Sequence, residues 1–313
     1  MKKGLPKVLV IMSTFNGEKY LKEQIDSILK QKNVDLTLYI SDDCSKDKTV
    51  EIIKEYQKKY NNIILHINEK NKNFTYNFLD SVFEFKNSEE FDYYAFSDQD
   101  DVWLEEKLIA GINKIKQVGE NTLYCSNLKI VDENLKQYDI MNRRRKKQYK
   151  SINIISKNIA TGCTMIFDKG FKNIVTQYYP NNIYLHDYWL AVIACLTKDC
   201  HFIYSEDDAF ILYRQHSNNL IGQNKDKFKK LNNIIWSKYN YDLSTLKLIN
   251  QYIVGFESVV KDEYIQIINR LQNYRKFKNK LYFLLKFKTL NKISFKVKIL
   301  FNKYWKGDIL WNF

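Results

Sequence analysis

Tyr94-Ala95-Phe96-Ser97-Asp98-Gln99-Asp100-Asp101 runs from a short apolar stretch straight into three carboxylates within four residues. The apolar half reads as a buried strand. The acidic half is costly by itself, because like charges a few ångströms apart repel and raise one another's pKa values, and a bound hard cation relieves that. A solvated acidic turn is the plainer alternative, and so short a motif does not decide between the two.

Working outward, the same grammar repeats. Val8 to Met12 is an apolar run that ends at Ser13-Thr14-Phe15-Asn16, and Leu36 to Ile40 is a second that ends at Ser41-Asp42-Asp43. Ile63 to Ile67 and Asp92 to Phe96 complete four expected strands. Between them, Glu18 to Lys30, Thr49 to about Tyr60 and Phe74 to Phe85 carry apolar residues at helical spacing. Strand and helix alternate through short connections, the pattern of βαβ units around a mostly parallel sheet. Ligands of such sheets bind beyond the carboxyl ends of the strands. The three polar strand ends should therefore converge on one rim. Further on, a helix to about Val118, strands near Thr122 to Ile130 and Gly162 to Phe167, and a helix from Asp187 to Leu196 continue the domain.

The chain has 313 residues, 45% of them hydrophobic, enough for an ample core. Five cysteines without a Cys-x-x-Cys pair argue against a disulfide framework and a zinc site, and fit a reducing compartment. The apolar run after Met1-Lys2-Lys3 is too short for a signal sequence and no stretch has the length of a membrane span, so a cytoplasmic or peripheral protein is expected. The net charge of +14 is uneven: from Arg270 to Phe313 twelve Lys/Arg face one acid, Asp308. Residues 1–224 are expected to form the catalytic domain and 225–313 a helical, basic region.

Ile11-Met12-Ser13-Thr14-Phe15-Asn16-Gly17, Asp42-Asp43-Cys44-Ser45-Lys46-Asp47 and Asp98-Gln99-Asp100-Asp101, in this order and spacing, resemble an inverting family 2 glycosyltransferase with the GT-A (Rossmann-like) fold. The likeness continues through Thr161-Gly162-Cys163-Thr164-Met165, His186-Asp187-Tyr188-Trp189 and Tyr213-Arg214-Gln215-His216. Six motifs in order are far more specific than one. Asp-Gln-Asp-Asp followed by Val-Trp resembles in particular the rhamnosyltransferase-like branch that builds bacterial surface polysaccharides.

The resemblance implies roles residue by residue. Ser13, Phe15 and Asp43 would surround the nucleoside, Phe15 offering a ring face and Asp43 an acceptor for an imide proton. Asp100 would be the direct ligand of a divalent cation, Mg²⁺ or Mn²⁺, with Asp98 binding through water or touching the ribose and Asp101 orienting its neighbours. Arg214 and His216 would approach the diphosphate and the metal. Asp187 would be the base that takes the acceptor hydroxyl's proton, with His186 and Trp189 framing the acceptor sugar. Viewed singly, Phe15 and Trp189 also suit a core, Asp43 a turn, Asp187 a helix N-terminus and His216 a structural role. The expected donor is a dTDP- or UDP-sugar, dTDP-rhamnose first, and the acceptor a glycan, lipid-linked at the inner face of the plasma membrane.

Between Lys276 and Trp305 basic residues alternate with aromatic and aliphatic ones, as in helices that lie in anionic membrane interfaces, or whose apolar face packs on the catalytic domain. The basic charge and Arg143 to Lys147 also raise a nucleic-acid-binding reading. Strand-end carboxylates would repel phosphate without a metal, and no nucleic-acid module is recognisable, so no nucleic acid is expected. A nucleotidyltransferase on a related sheet would more usually carry a Gly-rich loop after the first strand, which Ser13 to Gly17 lacks.

Overall fold

A computed structural model of the chain describes residues 4–140, 154–155, 158–216 and 247–272. It divides into two compact units, 1–259 and 260–313. The expected boundary at 224/225, the Arg143 to Lys147 run and the tail beyond residue 272 lie outside the described residues.

The first unit opens with the expected alternation: β1 (Lys7–Thr14), α1 (Leu21–Leu29), β2 (Asp35–Asp42), α2 (Thr49–Gln57), β3 (Ile63–Ile67), α3 (Asn73–Glu84) and β4 (Tyr93–Ser97). Val8, Leu9, Val10, Ile11 and Met12 are all fully buried. A strand covered on both faces reads as an unbroken apolar run, which is why this one shows no alternation. There follow β5 (Val102–Trp103), α4 (Lys107–Val118), β6 (Thr122–Ser126), β7 (Lys129–Val131), β8 (Gln137–Ile140), β9 (Ile166–Asp168), α5 (Lys169–Val175), α6 (His186–Leu196), β10 (His201–Ser205) and β11 (Ile211–Arg214). Residues 247–256 form a further helix, α7. The described part of the second unit includes α8 (Asp262–Gln272).

The main sheet has seven strands in the order β10-β6-β9-β4-β1-β2-β3. All its pairings are parallel except those of β9, which runs against β4 and β6. β1 lies between β2 and β4 with Thr14 opposite Asp42 and Met12 opposite Ser97. The three strands thus end on one rim, where the polar residues after them meet.

Two expected strands differ. Thr122 to Ile130 is not one strand: the chain leaves the main sheet after Ser126, turns at Asn127, whose side chain donates to Glu206 O (3.1 Å) and accepts from Leu128 N–H (3.0 Å), and enters a second sheet as β7. Gly162 to Thr164 is a 3₁₀ turn rather than extended chain, and the strand starts only at Ile166. The second sheet has the order β5-β11-β7-β8. Its antiparallel β5–β11 pair, with Ile211 opposite Trp103, brings residues 211–216 beside the acidic loop. No helix among the described residues is long and apolar enough to cross a membrane.

Candidate active site

At the rim the loops after β1, β2 and β4 are tied into one frame. Asp43 N–H donates to Thr14 O (2.8 Å), and Thr14 Oγ1 donates to Asp42 Oδ2 (2.9 Å). Gln99 accepts from Phe15 N–H (2.9 Å) and donates to Phe15 O (3.1 Å), clasping the first loop to the acidic one. Gly17 is required by that clasp: a Cβ there would lie 2.2 Å from Gln99 Oε1. Ser13 Oγ accepts from Asn77 Nδ2 (2.7 Å), and Asn77 also donates to Ser41 O (2.9 Å). Asp43 is buried, its Oδ1 accepting from Lys72 N–H (2.8 Å) and Asn68 Nδ2 (3.1 Å). Phe15 stands 48% exposed at the rim, so it is not a core ring.

The acidic loop sends its members different ways. Asp98 and Asp100 are half-buried and Asp101 fully buried. Asp100 Oδ2 lies 2.8 Å from His216 Nε2. Burial first, then the charges of Asp100 and Asp187, push Asp98 up to about 7. Asp101 is also raised by burial and its two acidic neighbours, while its Oδ1 accepts from Arg214 N–H (3.1 Å). This electrostatic crowding is of the kind a divalent cation relieves, and among the described residues Asp98, Asp101 and Cys163 bring ligand atoms within 4.8 Å of one another beside the Asp100–His216 pair.

Arg214 is placed otherwise than expected. Its side chain is buried, donating from Nε to Asp100 O (2.9 Å) and from Nη1 to Glu133 O (2.6 Å), pairing with Glu23, and lying 4.4 Å above the Tyr20 ring. These partners hold its guanidinium inside the protein, where it fixes the acidic loop instead of reaching toward a diphosphate.

On the other side of the rim, α6 is buried at every position except Asp187. Asp187 Oδ1 accepts from Asn158 Nδ2 (3.0 Å) and Oδ2 from Gly162 N–H (3.2 Å). Burial raises Asp187 to about 6, with hydrogen bonds from Tyr188 and Gly162 backbone and from Asn158 opposing the shift. Its charge in turn acts on Asp98, so the two motifs meet.

The neighbours of Asp187 do not face the rim as expected. His186 is buried, stacked on Phe78 (4.3 Å between centroids) with Phe96 and Phe74 edge-on, and burial lowers it to about 3, so the ring is neutral. Gly162 lies against it: a Cβ at 162 would be 2.7 Å from His186 Nε2. Trp189 is fully buried beside Tyr178 and Phe256 of α7 and is a core residue. Asn158, Gln99, Asn68 and Asn77 complete the frame and were not singled out in the sequence. The one signal for Asn77 is an amide on the apolar face of α3, next to Phe78 and Leu79.

The model of Glycosyl transferase family 2 matches residues 9–175, and the chain belongs to that family. It is a glycosyltransferase with a GT-A fold. Over 239 residues it is 32% identical to the dTDP-rhamnosyl transferase RfbG of Shigella flexneri, covering 70% of this chain and 78% of that one. It is 26% identical over 230 residues, 72% of this chain and 82% of the relative, to the UDP-Glc:alpha-D-GlcNAc-diphosphoundecaprenol beta-1,3-glucosyltransferase WfgD of Escherichia coli. Among solved structures, the mannosyltransferase PcManGT from Pyrobaculum calidifontis, in complex with GDP-Man and Mn²⁺, shares the fold with a TM-score of 0.53 at 13% identity, over 96% of this chain and 80% of its own.

Proposed function

We propose that this glycosyltransferase moves a sugar, rhamnose from dTDP-rhamnose foremost, onto a hydroxyl of a lipid-linked glycan with inversion at the anomeric carbon, in bacterial surface polysaccharide synthesis. The observation that carries the reading is the meeting, at one rim, of the Asp98/Asp100/His216 group with a single helix-borne carboxylate, Asp187. The chain's likeness to RfbG, a dTDP-rhamnosyl transferase, supports the donor, and its likeness to WfgD, which acts on a diphosphoundecaprenol-linked sugar, supports the acceptor.

Phe15 presents its ring to the base, and Ser13 and Asp43 line the nucleoside. Asp98, Asp100 and His216 would hold a divalent cation, which when bound would supply positive charge against that growing on the departing diphosphate. Arg214 keeps the loop that carries two of these residues in place. Asp187 accepts the proton of the acceptor hydroxyl at Oδ1 or Oδ2. Asn158 donates to Oδ1 and Gly162 N–H to Oδ2, and these bonds orient the carboxylate. The basic segment from Arg270 draws the enzyme to an anionic membrane surface where such an acceptor resides.

The test is a panel of dTDP- and UDP-sugars with Mg²⁺, Mn²⁺ or chelator, the anomeric configuration of the product being read by NMR. Turnover of dTDP-rhamnose that stops with chelator is expected. Full activity in chelator removes the cation from the reading, and turnover confined to UDP-hexoses removes rhamnose.

A further inference from the structure

Behind the ends of β1 and β2 lie two buried amides, Asn77 on α3 and Asn68 just after β3. Their hydrogen bonds fix which neighbours donate and which accept. Asn77 Nδ2 lies 2.9 Å from Ser41 O, a carbonyl that can only accept, so the atom there is the nitrogen. Asn77 Oδ1 then accepts from Ser41 Oγ (2.5 Å) and from Asn68 Nδ2 (2.9 Å). Asn68 is oriented in the same way, because its Nδ2 also faces a carboxylate oxygen, Asp43 Oδ1 (3.1 Å).

The consequence reaches both residues assigned to the nucleoside. Asn77 Nδ2 also donates to Ser13 Oγ (2.7 Å), and no hydrogen bond among the described residues uses the Ser13 proton. Ser13 is thereby left as a donor. Asp43 Oδ1 is taken by Asn68 Nδ2 and by Lys72 N–H (2.8 Å), while Asn71 Nδ2 donates to the Asp43 carbonyl (3.1 Å). Oδ2 enters none of these bonds, and it is not among the atoms sealed in the interior without a partner. Asp43 is thereby left as an acceptor. A donor and an acceptor linked through two amides complement a base edge on which a ring N–H adjoins a carbonyl, as in uracil and thymine. Cytosine has a lone pair at that ring nitrogen and would set it against the carboxylate. The exposed ring of Phe15, two residues after Ser13, is the face on which such a base can stack.

We propose that the Asn68–Asn77 pair is the base-selecting element of this enzyme: it sets Ser13 as donor and Asp43 as acceptor, and so admits a uracil or thymine nucleotide and rejects a cytosine one. The inference rests on the nucleoside-site reading above. Both amides are positioning residues, acting through the two groups that touch the base.

The experiment compares dTDP with 5-methyl-dCDP, which differ only along that edge, by calorimetry with Mg²⁺ near neutral pH. The unaltered protein should bind dTDP at least about tenfold more tightly. In Asp43→Asn the preference should invert. Lys72 N–H and Asn68 Nδ2 can only donate, so the replacing amide has to turn its oxygen to them and its nitrogen to the base. Asn77→Asp should draw the Ser13 proton onto the introduced carboxylate and weaken dTDP binding by about tenfold. Ser13→Ala should cost about fivefold by itself but less than about twofold when added to Asn77→Asp, because the donor has already been withdrawn. Were Asn77 only a packing residue, the two losses would multiply.

Equal affinity of the unaltered protein for the two nucleotides overturns the proposal. A preference that Asp43→Asn leaves untouched places the base elsewhere and overturns the nucleoside-site reading with it. A preference lost but not inverted, or losses that multiply, keeps the base at Asp43 and overturns the amide pair alone. If Asn77→Asp does not fold, Asp43→Asn decides, since the atom it exchanges at Oδ2 bonds to no described protein group.

Discussion

The acidic loop after β4 and the first turn of α6 both carry compact motifs, yet they use their residues differently. In the loop, Gln99 clasps the Phe15 backbone, Asp100 meets His216 and Asp101 turns inward to the Arg214 N–H. Along His186-Asp187-Tyr188-Trp189 only Asp187 escapes burial. The reason is geometric. Successive residues of a helix point about 100° apart, so one edge of a buried helix offers a single side chain per turn to a rim. An irregular loop has no such period, and its backbone can aim neighbours independently. A motif on a strand-end loop can thus be functional at every position. The same density of chemical residues on a buried helix marks one functional residue and its packing.

The largest expected effect is on the loop. Asp100→Ala should abolish turnover and leave dTDP binding unresponsive to Mn²⁺, measured by calorimetry with and without the ion. Wild-type metal response would remove Asp100 from the cation site. Arg214→Lys comes next. Because the guanidinium bridges Asp100 O, Glu133 O and Glu23, the substitution should cost about 2–3 kcal/mol of unfolding free energy and reduce kcat/KM through the loop. A loss of donor affinity with Tm unchanged would instead put the guanidinium on the diphosphate. The smallest effect belongs to the helix: Trp189→Phe removes no hydrogen bond, so it should cost about 1 kcal/mol of stability and leave acceptor KM within about twofold. A severalfold rise in acceptor KM at constant Tm would return Trp189 to the acceptor site and break the comparison.

The strand-end residues were legible in the sequence because their position follows from the fold: a parallel sheet delivers the ends of β1, β2 and β4 to one rim whatever the packing details. The break between β6 and β7 is not legible in Thr122 to Ile130, because an apolar run does not reveal that the chain changes sheets at Asn127. Arg214, His186 and Trp189 were read by type, and type does not give direction. His186 became a packed ring because Phe74, Phe78 and Phe96, distant in sequence, close around it. Asn158 was invisible for the opposite reason: a lone amide outside any motif carries no signal until its partners are known.

The account stands most directly on Asp187 as the base opposite the cation. Burial holds its carboxyl at about 6, above the ordinary carboxylate range, so it is ionised and competent above that pH and loses its function as pH falls through it. The measurement is kcat against pH for the unaltered enzyme and for Asp187→Asn, with donor Kd determined for both. The account predicts a rise in kcat through about pH 6 that vanishes in the variant, a fall in kcat of at least about a hundredfold, and an unchanged donor Kd. An Asp187→Asn enzyme that keeps its kcat, or that loses donor binding in proportion to its rate, would contradict it.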